Sequence, residues 1–241
     1  MASSSGPERS GAAASPGASV IAVIPAHNEG RRIAAVVRTA NTHVEVIVVD
    51  DGSSDDTADQ ARAAGATVID QRPNQGKGAA LRTGFRRALA EGADVIVTLD
   101  GDGQHDPHEI PEFVAAYTKA RPELIIGRRD FRRMPPVRRL ANELGRRAFS
   151  WAVGRDIPDN QSGFRLITRD LAQATLDSDE AGFEFEVEVI TTCVRRHGRI
   201  AWVPIRTIYA GETSHIRPVH HLVNFLRIVL RARRAIRAAQ T

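Results

Sequence analysis

The chain is 241 residues long, 42% hydrophobic, with a formal net charge of +4 and a sequence pI near 9.9, enough to bury a full core in one α/β domain. Its one cysteine, Cys193, excludes an intrachain disulfide and any cysteine-based zinc site, and no window approaches the roughly 18 consecutive apolar residues of a membrane span. The small basic excess is nearly all arginine, lysine occurring only at 77 and 119; it does not by itself indicate nucleic acid, and arginine suits two-point contacts with phosphate.

Residues 1–18 are mostly Ser, Gly, Ala and Pro, with little apolar content. They read as a disordered tail without the apolar core of a secretory signal. With the lone buried-type cysteine, a reducing, cytoplasmic setting is expected. Residues 19–218 then read as one domain and 219–241 as a C-terminal helix.

Val20–Ile24 is the first predicted strand, stopped by Pro25-Ala26-His27-Asn28-Glu29-Gly30, and residues 31–40 follow at helical spacing. Val44–Val49 is a strand ending in Asp50-Asp51-Gly52-Ser53-Ser54-Asp55, followed by a helix over 55–64 and a short strand at Ala66–Ile69. Asn74-Gln75-Gly76-Lys77-Gly78 opens a helix through Glu91. The Gly-rich run fails the Walker pattern, because Gly78 replaces the Ser or Thr that would bind Mg²⁺. It reads instead as a helix start where backbone packs closely, with Lys77 solvated or near phosphate. Strand and helix alternate through this half, which predicts a mostly parallel sheet flanked by helices.

Val95–Leu99 is a buried strand that runs into Asp100-Gly101-Asp102-Gly103-Gln104-His105-Asp106-Pro107. Asp100, Asp102 and Gln104 are hard oxygen ligands suited to Mg²⁺ or Mn²⁺. The bland alternative is an Asp/Gly turn capping a helix before Pro107. Beyond it, a helix over 108–119, a strand at Glu123–Ile126, a basic segment Arg132 to Arg147 entering a helix that ends near Val153, and a polar turn Asp159–Arg165 leading into a strand are expected. A helix over Phe183–Val194 contains Cys193, read as a packing residue. Strands Ile200–Val203 and Ile205–Tyr209 break at Pro204. The last helix, Val219–Ala239, sets apolar residues at 222, 225, 226, 229 and 230 against Arg at 227, 231, 233, 234 and 237.

The ordered set VIPAHNE, VIVVDDGSSDDT, NQGKGAALRTGF, TLDGDGQHDP, IIGRR, DNQSGFRLI and VPIRTIYAGETSHIR resembles the family 2 inverting glycosyltransferases of GT-A fold. It is most similar there to the dolichyl- and polyprenyl-phosphate sugar transferases. The resemblance implies a sugar-nucleotide donor (GDP-mannose or UDP-glucose) lodged by Pro25, His27, Glu29, Asp50, Asp51 and Gly101. It implies a Mg²⁺ or Mn²⁺ ion on Asp100, Asp102 and Gln104, and a phosphate contact from Arg129. Arg138 and Arg139, with Asn142, match the segment that receives the phosphate of a polyprenyl acceptor at a membrane surface. Asp102, Arg129, Arg138 and Arg139 form the catalytic set so implied. In the terminal motif Tyr209 stands where the family usually has Arg and His215 where it has Lys, so His215 would close over the pyrophosphate, with Arg206 or Arg217 as supplementary charges.

An acceptor phosphate has a second pKa near 6 and is already an anionic nucleophile at neutral pH, so positioning and charge stabilisation suffice. A soluble or polysaccharide hydroxyl would instead need a carboxylate base, for which Asp159 and Glu184 to Glu188 are the candidates. The remoter alternative is a sugar-nucleotide-binding module without turnover. For the last helix two readings stay open: a basic amphipathic helix on an anionic membrane, with or without an anchoring partner, or a helix packed on the body with an arginine-rich solvent face.

Overall fold

The computed structural model describes residues 17–130, 136–182, 184–206, 208 and 218–238. The predicted tail up to residue 16, and Tyr209, His215 and Arg217, lie outside the described residues. The side chains of Arg138, Arg139 and Asn142 do so as well, although the helix that carries them is described.

Seven strands form one sheet in the order β3-β2-β1-β4-β6-β5-β7. They are β1 Val20–Ala26, β2 Glu45–Asp51, β3 Thr67–Gln71, β4 Val95–Thr98, β5 Leu124–Arg129, β6 Arg165–Thr168 and β7 Ile200–Ile205. All neighbours pair in parallel except β6, which runs antiparallel to both β4 and β5. The central strands are apolar on both faces, as helices covering both sides require. Alternate side chains of β1 divide between two cores. Ile21 and Val23 face Leu81, Phe85 and Ala88 of α3 (Lys77–Ala90), together with Phe149 of α5 (Pro136–Val153) and Phe185 and Ile190 of α7 (Glu184–Arg195). Ala22, Ile24 and Ala26 face Ile33 and Val37 of α1 (Ile33–Asn41), Ala61 of α2 (Thr57–Ala63) and Phe113 of α4 (Ile110–Ala120). Cys193 is buried in α7, and burial pushes its thiol up to about 12.

Three expectations change. Pro204 does not break a strand: β7 runs through it, opposite Arg128. β7 pairs only with β5, so its other edge asks for no N–H, and an edge strand is where proline is tolerated. The expected continuation to Tyr209 is absent at the described positions 206 and 208, which are not strand. A short helix α6, Arg169–Ala174, follows β6 directly and had no signal beyond two apolar positions. Finally, β5 extends to Arg129 rather than stopping at Ile126, which fixes that arginine at the sheet's carboxyl edge. The last helix, α8 (Pro218–Ala238), buries Val229, Ala232 and Ile236 and packs on α5 and α7.

β1 has β2 on one side and β4 on the other, so the chain reverses its direction of winding there. Ligands of open α/β sheets bind at such a point, beyond the carboxyl ends of the strands.

Candidate active site

The loops after β1 and β2 are one hydrogen-bonded unit. Asn28, at φ 57°, donates its N–H to Ser53 Oγ at 2.9 Å and accepts the Ser54 N–H on its Oδ1 at 2.8 Å. The Glu29 and Gly30 N–H groups reach Thr57 Oγ1 and Asp55 Oδ2 at 2.8 and 3.1 Å. His27 lies at the mouth, its Nδ1 2.9 Å from the Asp51 carbonyl oxygen. Asp50 is fully buried. Ser53 Oγ donates to its Oδ1, while Oδ2 has no hydrogen-bond partner among the described residues. A buried carboxylate oxygen without a partner is costly unless a donor arrives, and Asp50 stands at the carboxyl end of β2, beyond which a ligand is expected.

Asp51 turns the other way. Its Oδ1 accepts from Gln71 Nε2 and the Gln75 N–H, both at 2.8 Å, and its Oδ2 accepts from the Gly76 N–H at 2.8 Å. It braces the Gly-rich loop. Gly76, at φ +93°, and Gly78 press on the segment before α7: a Cβ on Gly78 would meet the Glu180 and Gly182 carbonyl oxygens at 2.7 Å. The Gly78 N–H donates to the Ala181 carbonyl at 2.7 Å. Close backbone packing is therefore what this loop provides, as its glycines suggested.

Lys77 is not solvated. Its Nζ lies 2.6 Å from Asp100 Oδ1 and 3.1 Å from Glu186 Oε1, with its side chain 16% exposed. Burial opposes its charge, but the two carboxylates outweigh burial and hold the ammonium pKa above its ordinary value. Burial also works against the charge of Asp100; Lys77, then His105, overcome it and hold the carboxylate low, at about 2. His105 is buried beneath the loop and packs on Phe164 at 5.6 Å between ring centroids. Its Nδ1 accepts from the Asp100 N–H at 3.4 Å, and burial pushes its pKa down against the pull of Asp100. Neither Lys77 nor His105 stood out in the sequence as a partner of Asp100. The nearest signal was the shared strand-edge position of their loops.

Gly101 fits closely against the end of β1, where an added Cβ would lie 3.2 Å from Ile33 Cδ1 and 3.5 Å from the Pro25 carbonyl oxygen. Pro25, Gly101 and the Asp100–Gln104 loop are thus brought together. Asp102 Oδ1 accepts the Gln104 N–H at 2.9 Å, and the Gln104 carbonyl accepts from the Ile208 N–H at 3.0 Å. Burial, and secondarily the charge of Asp100, push the Asp102 pKa up. A cation beside Asp102 relieves both effects, and two carboxylates with an amide oxygen are the donor set a hard divalent ion takes. The residues present fit such an ion, although among the described residues no cluster of three His, Cys, Asp or Glu side chains converges on one point.

At the other side, Arg129 and Asp159 form a two-point pair, Nε to Oδ2 at 2.8 Å and Nη2 to Oδ1 at 2.9 Å. Burial disfavours the guanidinium, but Asp159 outweighs it and holds the Arg129 pKa up. Arg165 is 1% exposed and ties the preceding turn to α7. Its Nε donates to the Ser162 carbonyl at 2.7 Å, its Nη2 to the Asn160 carbonyl at 3.2 Å, and its Nη1 to the Glu186 carbonyl. Gly163 lies against Asp100: an added Cβ would stand 2.6 Å from Oδ2 and 2.7 Å from Oδ1. Gly163→Ala is therefore expected to rotate the Asp100 carboxylate off Lys77. The obstructing atoms are a side-chain end, so stability should fall by only about 1 kcal/mol, whereas sugar transfer should fall at least about tenfold. Urea unfolding and initial rates on the same preparation check it.

Residues 21–176 match the family model Glycosyl transferase family 2. The chain is 32% identical over 204 residues to the undecaprenyl-phosphate mannosyltransferase of Micrococcus luteus, covering 77% of this chain and 82% of that one. It is 29% identical over 229 residues to the UDP-N-acetylglucosamine–dolichyl-phosphate N-acetylglucosaminyltransferase of Methanococcus voltae, covering 84% and 90%. Among solved structures it resembles glucosyl-3-phosphoglycerate synthase of Mycobacterium tuberculosis in complex with Mn²⁺, UDP and glucosyl-3-phosphoglycerate, with TM-score 0.63 and 25% identity over 90% of this chain and 78% of that one. A complex of the same synthase with Mg²⁺ and UDP superposes at TM-score 0.66. The sheet order, the strand-edge loops and these likenesses lead to one assignment: the chain is a glycosyltransferase of family 2, built on the GT-A fold.

Proposed function

We propose that this enzyme carries out metal-dependent, inverting transfer of a hexose from a nucleoside diphosphate sugar to a polyprenyl phosphate at a membrane surface. The observation that carries the choice of acceptor is the state of the carboxylates around the metal motif. Asp159 is taken up by Arg129, and Glu186 by Lys77. A carboxylate held by a cation is a poor proton acceptor, and a phosphate nucleophile needs none. Relatives whose names specify undecaprenyl- and dolichyl-phosphate acceptors support the same reading.

In this reading the unpartnered Asp50 Oδ2, His27 and Glu29 receive the nucleoside, with Pro25 and Gly101 forming the floor and Asp51 holding the loop in place. Asp100, Asp102 and Gln104 hold Mg²⁺ or Mn²⁺, which when bound neutralises the departing nucleoside diphosphate. Arg129 meets phosphate, its guanidinium oriented by Asp159. Arg138 and Arg139, in the first turns of α5, receive the acceptor phosphate, and His215 closes over the donor. Among the described residues no helix is long and apolar enough to cross a membrane, so contact with the bilayer is peripheral in this reading.

A second reading has one observation behind it: the structural relative is also known in complex with phosphoglyceric acid, a soluble phosphorylated acceptor. Purified protein with Mn²⁺, labelled GDP-mannose, UDP-glucose or UDP-N-acetylglucosamine, and either short-chain polyprenyl phosphate or phosphoglyceric acid separates the two. Metal-dependent label in the organic phase is expected. Label confined to the aqueous acceptor overturns the lipid reading and leaves the family assignment intact.

A further inference from the structure

Four large hydrophobic side chains are exposed among the described residues, and three of them lie on the adjacent helices α5 and α8: Leu144 and Trp151, each 58% exposed, and Leu230, 54% exposed. On α5 the exposed line is Leu144, Arg147, Trp151; on α8 it is Arg227, Leu230, Arg234, Arg237, opposite the buried Val229, Ala232 and Ile236. Both lines follow the three-to-four spacing of a single helix face. Arg233 joins them: its guanidinium lies over the Trp151 ring at 3.8 Å from the centroid, and its Nη1 donates to the Trp151 carbonyl at 3.1 Å. The packed-helix reading of the sequence thus holds for one face of α8, while the opposite face keeps an apolar line rimmed by arginine.

We infer that this shared face of α5 and α8 docks the protein on an anionic lipid bilayer. Leu144, Trp151 and Leu230 enter the headgroup region, and the arginines around them meet lipid phosphates. Charge selects this occupant. α8 has five arginines and no acidic residue, and Glu143 is the one acidic residue of α5. The core of a protein–protein interface is a contiguous apolar patch, whereas here Leu230 stands between Arg227 and Arg234 on its helix face and Trp151 lies under the Arg233 guanidinium. Long basic side chains that flank isolated apolar ones suit a headgroup layer, where the stems lie on acyl chains and the charges reach phosphate. Tryptophan is enriched at that depth. The docking rests on the chemistry of two helices and not on the identity of the sugar acceptor, although α5 starts shortly after Arg129 and so leads from the site's edge onto this face.

The test uses the full chain and vesicles of phosphatidylcholine alone or mixed with phosphatidylglycerol, all free of polyprenyl phosphate. Sedimentation with the anionic vesicles only is expected, falling as salt rises. Emission from the two tryptophans should shift to the blue on binding, and Trp151→Phe should abolish the shift. Arg234→Gln with Arg237→Gln should weaken binding about 30-fold. Leu144→Ser with Leu230→Ser should weaken it also, with an unchanged melting temperature. Failure to sediment at low salt, or equal partition onto neutral vesicles, overturns the inference. A concentration-dependent dimer that Leu144→Ser with Leu230→Ser dissociates also overturns it, because the face then belongs to a second copy. The vesicles contain no acceptor, so none of these outcomes bears on the lipid-phosphate reading.

Discussion

Asp102→Asn is expected to stop sugar transfer while raising the stability of the fold. The loss follows from the donor set: an amide in place of a carboxylate removes a full charge from the proposed ion site, an effect of several kcal/mol, at least about 100-fold in rate. The gain follows from the environment of the carboxylate. Burial, and then the neighbouring Asp100, push the Asp102 pKa above its ordinary value. A carboxyl group so shifted contributes stability while protonated and loses it as pH rises through its folded pKa. At neutral pH its charge therefore opposes folding. Asn keeps an oxygen for the Gln104 N–H that Oδ1 now accepts and drops the charge. Thermal unfolding at pH 7 in the presence of a chelator, beside the transfer assay, checks both halves. A melting temperature that falls would mean that Asp102 is a structural cap, and the bland turn reading of this loop would stand.

Lys77→Met is expected to cost about 3 kcal/mol at neutral pH, although it alters one methionine-sized side chain at a helix start. It leaves Asp100 and the 7%-exposed Glu186 side by side without their cation. In the wild type, Asp100 is held below its unfolded pKa, so its share of stability is present above the unfolded value near 4 and is lost as pH falls toward about 2. In the variant the burial that Lys77 offset raises the Asp100 carboxyl, against what remains of the His105 and Arg129 charges. The penalty is then largest at neutral pH and shrinks as Asp100 protonates on the acid side. Urea unfolding of both proteins at pH 7 and at acid pH measures the difference. A pH-independent loss would show that packing, not charge, is what Lys77 supplies. Transfer should be lost at either pH, because Asp100 is no longer held where Gly163 and Lys77 fix it.

Much of this protein was legible in its sequence because local chemistry marks it. Alternating apolar runs and Gly/Asp-rich breaks disclosed strands β1 to β4 and the helices between them, and three polar strand ends pointed to one edge of a parallel sheet. Glycines 76 and 78 announced close backbone approach, and Cys193 announced packing. The ordered motifs indicated the family that the residue 21–176 match shows. The edge strand through Pro204 was misjudged, since proline breaks a strand only where its N–H is needed, and strand order decides that.

Pairings between distant loops belong to the tertiary structure alone. No spacing rule connects Lys77 with Asp100 and Glu186, Arg129 with Asp159, or Arg165 with the Glu186 carbonyl. These groups are 21 to 109 positions apart in the chain, and they meet only because β4, β6 and β5 are adjacent and α3 abuts α7. The same holds for the two states of neighbouring acids: Asp50 and Asp51 are consecutive, yet one keeps a buried oxygen without a partner and the other is consumed by three donors. The sequence by itself determined which residue types stand at the strand ends and therefore the class of chemistry. Only the fold decided which carboxylates are neutralised by a buried cation and which keep an oxygen free, because burial and opposite charge act through space.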